Sequence, residues 1–289
     1  MMKALYSGVS GMRSHQTKMD VIGNNIANVN TYGFKTQRAT FRDVYYQTLK
    51  NPGAPGEDRG GTNASQVGYG AQIGSIDTIH TISGYSPTNK PTDLYINGDG
   101  FLSVQGTSGE TLYTRLGALN FDQQGNLVDV NGYRVLGFDN SDGNEVQTKD
   151  GIIDWEETIK KTPDVIKIND YETYTNITIN GDGSITAVGK DDKIVTIGAI
   201  PIYKIPNQDA LILEGNSYYT VGNNAGVPII NSPGAGGTGA LVTGGLEMSN
   251  VDLANEFSDM IITQRGFQAN TKIISVVDQM LEELVNLKR

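Results

Sequence analysis

The apolar residues near the two ends of the chain repeat at helical spacing. Two sets of four recur every seven residues: Leu5, Met12, Met19 and Ile26, and Met260, Phe267, Ile274 and Leu281. Such a heptad repeat places one narrow apolar stripe on an otherwise polar helix, which is typical of a helix that packs on a partner helix. We predict that the two terminal segments pair as an α-helical coiled coil. The alternative is that both helices pack on an ordinary globular domain.

The charges of the two ends favour pairing between them over self-association of either end. Residues 1–50 carry seven Lys or Arg and two Asp or Glu, whereas residues 246–289 carry four and seven. Opposite net charges attract the two segments to each other and keep like segments apart. We therefore expect the eight stripe residues to form a helix seam and subunit interface.

The middle of the chain alternates between strand-like runs and turn residues. Asn97-Gly98-Asp99-Gly100 separates two such runs, and a second Asn-Gly turn begins at Asn180. Asn-Gly between strand-like runs indicates a β-hairpin because both residues tolerate positive φ. The predicted fold class is therefore α+β and multidomain, with a mainly-β central domain between the paired terminal helices.

Glycine and proline mark the boundaries between these parts. The chain has 36 glycines and 9 prolines, and 31 of the glycines and all the prolines fall in residues 51–245. Stretches rich in both residues are typical of turns and connectors. The predicted organisation is paired helices at 1–35 and 246–289, connectors at 36–72 and 222–245, a β domain at 73–139 and 175–221, and a small insertion, a reduced outer domain, at 140–174.

The composition argues against several kinds of functional site. The chain has no cysteine and two well-separated histidines, so disulfides, thiolate metal sites and histidine metal cages are excluded. A net charge of −10 argues against a nucleic-acid binder, which needs clustered Lys and Arg. No transmembrane segment and no secretory signal are visible. We predict no catalytic residues, no metal site and no cofactor.

Three segments of the chain resemble the bacterial flagellar rod and hook proteins, the axial proteins of the flagellum. One segment includes Asn97–Leu102 and is followed by a Tyr-Thr-Arg-Leu-Gly run. The other two contain the residues that match the family motifs: Asn24, Asn25, Ile26, Ala27, Asn28, Gly33 and Phe34, and Gln264, Arg265, Gly266 and Asn270. The run around Phe267 and the Glu-Leu-Val-Asn-Leu-Lys-Arg ending are more similar to hook subunits than to distal rod subunits. Tyr32, where many relatives have proline, is compatible with a hook.

The resemblance implies a structural subunit of the hook and not an enzyme. Hook subunits leave the cell through the flagellar type III export apparatus, without a cleaved signal peptide. Outside the cell they polymerise with copies of themselves into a curved helical tube, a universal joint that transmits torque from rod to filament. The implied neighbours are the distal rod protein, the hook cap and the hook–filament junction proteins. A straight distal rod, or less closely a secreted β-rich adhesin, is the alternative function.

Overall fold

The computed structural model describes residues 2–56, 60–139, 148–149, 152–168, 174–189 and 194–287. The chain divides into two compact units. The helical unit comprises residues 1–29, 36–79 and 251–289, and the β unit comprises residues 30–35 and 80–250. Long helices near both ends and a strand-rich middle confirm the predicted α+β class.

The helical unit contains the two long helices, α1 (Met2–Ala27) and α3 (Leu253–Asn286). Helix α3 begins after Asp252, whose carboxylate accepts hydrogen bonds from the backbone N–H groups of Ala254 (2.9 Å) and Asn255 (3.4 Å). This N-cap satisfies donors that have no partner within the helix. The predicted helical segments 1–35 and 246–289 extend further towards the middle of the chain than the helices do, because α1 ends at Ala27 and α3 begins at Leu253.

The helical unit also contains four strands that lie within the predicted connector 36–72 or directly after it. These are β1 (Gln37–Asp43), β2 (Tyr46–Lys50), β3 (Ser65–Gly68) and β4 (Ala71–Thr78). Strand β1 pairs antiparallel with β4, and β2 pairs antiparallel with β3. The connector interpretation is therefore wrong for this stretch. Its Gly/Pro-rich residues form the turn region between β2 and β3, while the flanking residues have the β-branched and aromatic side chains that favour strands.

The β unit is built mainly of short antiparallel strands. In chain order they are β5 (Tyr85–Pro87), β6 (Leu94–Asn97), β7 (Leu102–Gln105), β8 (Thr111–Thr114), β9 (Leu119–Phe121), β10 (Leu127–Asp129), β11 (Arg134–Asp139), β12 (Thr148–Lys149), β13 (Ile152–Ile153), β14 (Asp164–Val165), β15 (Thr175–Ile179), β16 (Ser184–Val188), β17 (Ile194–Ala199), β18 (Ile202–Lys204), β19 (Leu211–Gly215), β20 (Tyr218–Val221), β21 (Ile229–Asn231), β22 (Ala240–Thr243) and β23 (Gly245–Glu247). A short helix, α2 (Trp155–Thr158), lies between β13 and β14.

Most of these strands join one large sheet. Its main path runs β15-β16-β17-β11-β7-β8-β20-β19, with β9, β10 and β14 attached beside it. Strand β22 pairs with β6, and β21 pairs with β18. The second predicted connector, 222–245, therefore supplies strands to the β unit. Its apolar residues alternate with glycine turns, so the strand signal is hidden by the glycine content.

One of the two predicted hairpins is confirmed and the other is wrong. Strands β15 and β16 pair directly across the turn that begins at Asn180. Strands β6 and β7 do not pair, since β6 pairs with β22 and β7 with β8 and β11. The physical reason lies at Gly98, where an added Cβ would stand 2.4 Å from the Cα of Gly239. The turn therefore packs closely against Gly239 and carries the chain from the β6–β22 pair to β7 in the large sheet.

The predicted insertion at 140–174 is described only in part, because residues 140–147, 150–151 and 169–173 lie outside the described residues. Within the described part, β14 pairs with β11 of the large sheet. Ile166 is fully buried in the main apolar core of the β unit. This part of the insertion is therefore integrated with the sheet and contributes to its core.

Candidate assembly site on the terminal helices

Helices α1 and α3 pack against each other in antiparallel orientation. The Asn25 side chain donates a hydrogen bond to Glu256 Oε1 at 3.1 Å, near the end of α1 and the start of α3. The Thr271 hydroxyl lies 3.8 Å from Met12 Sδ, farther along the pair. Residue numbers thus rise along one helix as they fall along the other, so the pair brings together distant parts of the chain.

The eight stripe residues are all half-buried, and the fully buried positions of the pair are different ones. The half-buried set is Leu5, Met12, Met19, Ile26, Met260, Phe267, Ile274 and Leu281. The buried set is Gly8, Ser14, Val21, Ile22, Asn25, Thr263 and Val277. Four of these seven residues are glycine or polar, and the other three are the β-branched apolar residues Val21, Ile22 and Val277. The eight heptad side chains instead retain exposed surface that a further partner could cover.

Glycine allows the two helices to approach closely. A Cβ added at Gly266 would lie 2.7 Å from the ring of His15, and one added at Gly11 would lie 2.9 Å from the Asn270 side chain. Both distances are too short for a real carbon atom. Asn270 also donates a hydrogen bond to the carbonyl oxygen of Gly266 at 3.0 Å. Gly266 and Asn270, two of the motif residues, thus determine how closely the helices pack.

Asn25 is the polar centre of the helical unit. Its side-chain nitrogen donates to the Gln37 carbonyl oxygen at 2.8 Å as well as to Glu256, and its side-chain oxygen accepts from the Gln37 N–H at 3.0 Å. It is 1% exposed. A buried amide with all its hydrogen bonds made fixes geometry at little cost, whereas an apolar replacement would leave the partners unpaired. Burial raises the pKa of the Glu256 carboxyl, and the hydrogen bond from Asn25 opposes that rise.

The other helical motif residues are at the surface or cap a helix. Asn24 and Ala27 are exposed at the end of α1, and the Asn28 side chain donates to the Asn24 carbonyl oxygen at 2.9 Å. The backbone N–H of Asn28 donates to the same carbonyl oxygen at 3.1 Å, so both the main chain and the side chain of Asn28 bond to the end of α1. Gln264 and Arg265 are exposed on α3. Their exposed side chains lie outside the seam between α1 and α3.

Gly33 and Phe34 belong to the β unit. Gly33 has a φ of +70°, and an added Cβ would lie 3.2 Å from the backbone nitrogen of Leu116. Its N–H donates to the carbonyl oxygen of Glu247 at 2.9 Å, which ties residues 30–35 to strand β23. Glycine is required here because other residues are strained at positive φ. Phe34 is half-buried beside it.

A buried ion cluster lies next to Gly33 in the β unit. Glu247 accepts from Lys35 Nζ at 2.6 Å through one oxygen and from Arg115 Nη1 at 3.3 Å through the other. The three residues are 1–2% exposed, and Lys35 also donates to the Thr81 carbonyl oxygen at 2.7 Å. Burial lowers the pKa of Lys35, and the Glu247 charge opposes that change. One carboxylate thus holds the entering and leaving segments of the β unit together.

Sequence reasoning assigned no role to this cluster. Lys35 directly follows Phe34, and Arg115 stands two residues after Tyr113 and directly before Leu116, both in segments that resemble the family. A charge next to large apolar side chains is a weak signal of a buried ion pair, because Lys and Arg are almost never fully buried unless they are paired. Glu247 gives the same signal after Leu246, but which of the chain's acids would meet the two cations depends on the tertiary fold.

The chemistry of the described residues is that of a packing surface. In the described ranges, no group of three or more His, Cys, Asp or Glu is placed to hold a metal ion. In those same ranges, no helix is long and apolar enough to cross a membrane. The distinctive features are helix-packing glycines, buried polar ties and part-exposed apolar stripes. These features define a structural protein that has surfaces for association.

Comparison with known families gives the same class. Three family models match the chain: "Flagella basal body rod protein" at residues 5–35, "Flagellar hook protein FlgE/F/G D1 domain" at 95–187 and "Flagellar basal body rod FlgEFG protein C-terminal" at 242–287. Together they cover most of α1, much of the β unit and all of α3.

Individual relatives match along the whole chain. The chain is 45% identical over 290 residues to the flagellar basal-body rod protein FlgG of Bacillus subtilis, covering 100% of both. It is 34% identical over 291 residues to FlgG of Borreliella burgdorferi and 29% identical over 443 residues to the flagellar hook protein FlgE of that organism, again covering 100% of both chains. The chain belongs to the family of flagellar hook and basal-body rod proteins, which are structural proteins and not enzymes.

Proposed function

We propose that this chain is a subunit of the flagellar rod, where copies of it polymerise into a straight tube that transmits torque. The observation that carries the proposal is the end-to-end match with rod proteins of the same length, over 290 and 291 residues. The two hook relatives align over 443 and 465 positions, far more than the 289 residues of this chain. Hook proteins of that size carry segments that have no counterpart here.

A hook subunit is the second candidate function. The observation that favours it is the Gln264–Asn270 run and the ending of α3, which are more similar to hook subunits than to rod subunits. That run is on the helical unit, which the rod and hook families share, so it discriminates less than overall length does. We therefore place the rod first and retain the hook as the alternative outcome of the test.

The exposed apolar surface of the helical unit supports polymerisation. Phe257 and Ile261 on α3 are 50% and 59% exposed, and Tyr6 on α1 is 63% exposed. A monomer gains little from such side chains, whereas burial between copies would contribute about 25 cal/mol per Å² of apolar surface. By the same family relationship, we propose that the chain is exported by the flagellar apparatus and meets other axial proteins at the ends of its polymer.

Complementation distinguishes the two candidates. The chain would be expressed in two strains of one flagellated bacterium, one lacking its FlgG-type rod protein and one lacking its hook protein, with the corresponding native gene as the control in each. We expect basal bodies with a straight rod of normal length in the first strain, and no hook in the second, by electron microscopy of purified basal bodies. Curved hooks in the second strain without rods in the first would overturn the rod assignment.

A further inference from the structure

A groove lies between α1 and β4 within the helical unit. It has a volume of about 360 Å³ and is lined by Tyr6, Val9 and Arg13 on α1 and by Ala71 and Ile73 on β4. A hydrogen bond of 3.3 Å from a hydroxyl of α1 to the Ala71 carbonyl oxygen ties the two elements together. Ser10, Ser14, Thr17 and Gln72 complete the lining, so the groove combines apolar and uncharged polar side chains with one cation. Arg13 is exposed and, within the described ranges, makes no ion pair.

Helix α3 carries a second apolar stripe outside the seam. Its members follow one another at intervals of three or four residues and are 41–82% exposed: Val276, Met280, Leu284 and Leu287. This spacing places them on one face of the helix. Ile273, three residues before Val276, belongs to the seam, because its Cγ2 lies 3.7 Å from a Cβ added at Gly8. Glu283 is exposed seven residues after Val276 and so borders the same face. We call these four apolar residues and Glu283 the α3 stripe.

Among the described residues, the end of the α3 stripe lies beyond the start of α1. Gly8 of α1 lies against Ile274 of α3, with Ile274 Cγ1 3.4 Å from an added Cβ. Helix α1 begins at Met2, six residues earlier, so at equal rise per residue it reaches only to about residue 280 of α3. Leu284 and Leu287 therefore extend beyond α1 and are 49% and 82% exposed.

We infer that the α3 stripe of one copy docks in the α1/β4 groove of a second copy, with Glu283 meeting Arg13. This inference rests on the proposed function, because it names the contact through which the polymer grows. The partner is a second copy because the two surfaces complement each other in charge: Arg13 in the groove makes no ion pair among the described residues, and the exposed carboxylates Glu282 and Glu283 border the stripe. Apolar side chains on a helix face that enter a groove are a recurring mode of recognition.

The geometry of this contact suits a growing polymer. The groove and the α3 stripe are different surfaces of the same unit, so each copy can accept one neighbour and enter another. Such head-to-tail contacts generate rings or open helical assemblies, whereas a self-complementary patch would stop at a dimer. Each copy that docks therefore still has one free surface on which the next copy can dock.

Single cysteines test the docking directly, because the natural chain has none. Full-length Val9→Cys and Leu284→Cys variants would be mixed and oxidised, and disulfide-linked heterodimers measured on a non-reducing gel. We expect a heterodimer yield at least about ten times that of the matched mixture of Val9→Cys with Ser258→Cys, since a disulfide needs Cα atoms within about 7 Å. Ser258 is exposed near the opposite end of α3. Equal yields in the two mixtures would overturn the inference.

A charge exchange tests the polar contact independently. Arg13→Glu and Glu283→Arg should each slow elongation by about tenfold when monomer and seed carry the same variant, measured by light scattering, and the double variant should restore elongation on seeds of the double variant. Circular dichroism of each monomer checks that the helices remain. If the wild type forms tubes and both single variants elongate normally, the docking inference fails while the proposed function stands. If the wild type forms no tubes and fails to complement, the proposed function fails, and the cysteine experiment still decides whether the two surfaces meet.

Discussion

The two units of this protein bury apolar surface to very different extents. In the described part of the helical unit, the buried apolar residues are Val21, Ile22, Ala39 and Val277. Residues of the β unit that are 0% exposed include Phe101, Val104, Leu119, Leu127, Val135, Phe138, Ile166, Ile185, Ile200 and Ile202. Since apolar burial is the main favourable term in folding, the β unit has its own source of stability. The helical unit has mainly polar ties and a narrow seam, so much of its stability should come from association with other copies.

The largest effect is expected in the β unit from Glu247→Gln. This change removes the charge between Lys35 and Arg115 and leaves two buried cations without compensation. We expect the free energy of unfolding of the β unit to fall by about 3–5 kcal/mol. Urea unfolding followed by fluorescence of Trp155, the chain's one tryptophan and part of this unit, measures it.

The matched control is Glu214→Gln, because Glu214 is exposed and accepts only one long hydrogen bond of 3.3 Å among the described contacts. It should change the unfolding free energy by less than about 0.5 kcal/mol. A similar loss in both variants would contradict the special role of the buried ion cluster.

A charge in the helix seam should destabilise the helical unit and leave the stability of the β unit unchanged. Ile274→Glu places a carboxylate beside Gly8 and should destabilise the helix pair by about 2–4 kcal/mol. We expect loss of helical circular dichroism on mild heating and of sedimentable polymer, with Trp155-monitored unfolding unchanged. Gln268→Glu, at an exposed position of the same helix, is the control. If the Ile274→Glu variant forms normal polymer, the claim that the helix seam is needed for assembly is wrong.

Acid should weaken the β unit through His80. Burial, followed by the charges of Lys35 and Arg115, lowers the pKa of His80 to about 4. A lowered folded-state pKa contributes stability above the ordinary value of 6.5 that is lost as pH falls towards 4, on the order of 2–3 kcal/mol. His80→Gln should flatten this part of the pH profile. His15→Gln removes the chain's other histidine, which lies in the helical unit. In this variant the loss of β-unit stability with falling pH, measured through Trp155, should be as large as in the wild type.

The smallest effect is expected from Glu256 in the helical unit. Burial raises the pKa of Glu256, so the stability it contributes is present below pH 4.5 and is lost as pH rises through the folded-state pKa. Thermal melts of the helical signal should therefore show a slight decline over that range, and Glu256→Gln should remove it. Asp278→Asn serves as the control because Asp278 is exposed farther along the same helix. If the decline in thermal stability with rising pH is the same in Glu256→Gln as in the wild type, another titrating group causes it.

The two terminal helices and the α+β class could be predicted because their signals are local. A heptad of apolar residues around Phe267 is visible in one stretch of sequence, and α3 follows it from Leu253 to Asn286. The positions of closest packing could not be predicted in the same way. Ser14 and Thr263 are polar, and they are buried because a partner element happens to lie against them.

The connectors failed as predictions for a related reason. Glycine and proline content is an average over a stretch, whereas strand formation depends on which residues find a partner strand. Residues 240–243 pair with β6, more than 140 positions earlier in the chain, and no local pattern specifies that partner. The wrong hairpin at Asn97 has the same origin, since an Asn-Gly turn permits a reversal without selecting the strand that pairs.

The sequence by itself determined the family, the helical ends, the strand-rich middle and the opposite charges of the two ends. These properties depend on residue type and short-range periodicity, which are complete in the linear chain. Tertiary structure alone decided that Glu247 joins Lys35 to Arg115, that Gly266 accommodates His15, and that an apolar stripe of α3 remains uncovered. Each of these depends on which distant residues meet in three dimensions, because burial and ion pairing are properties of contacts.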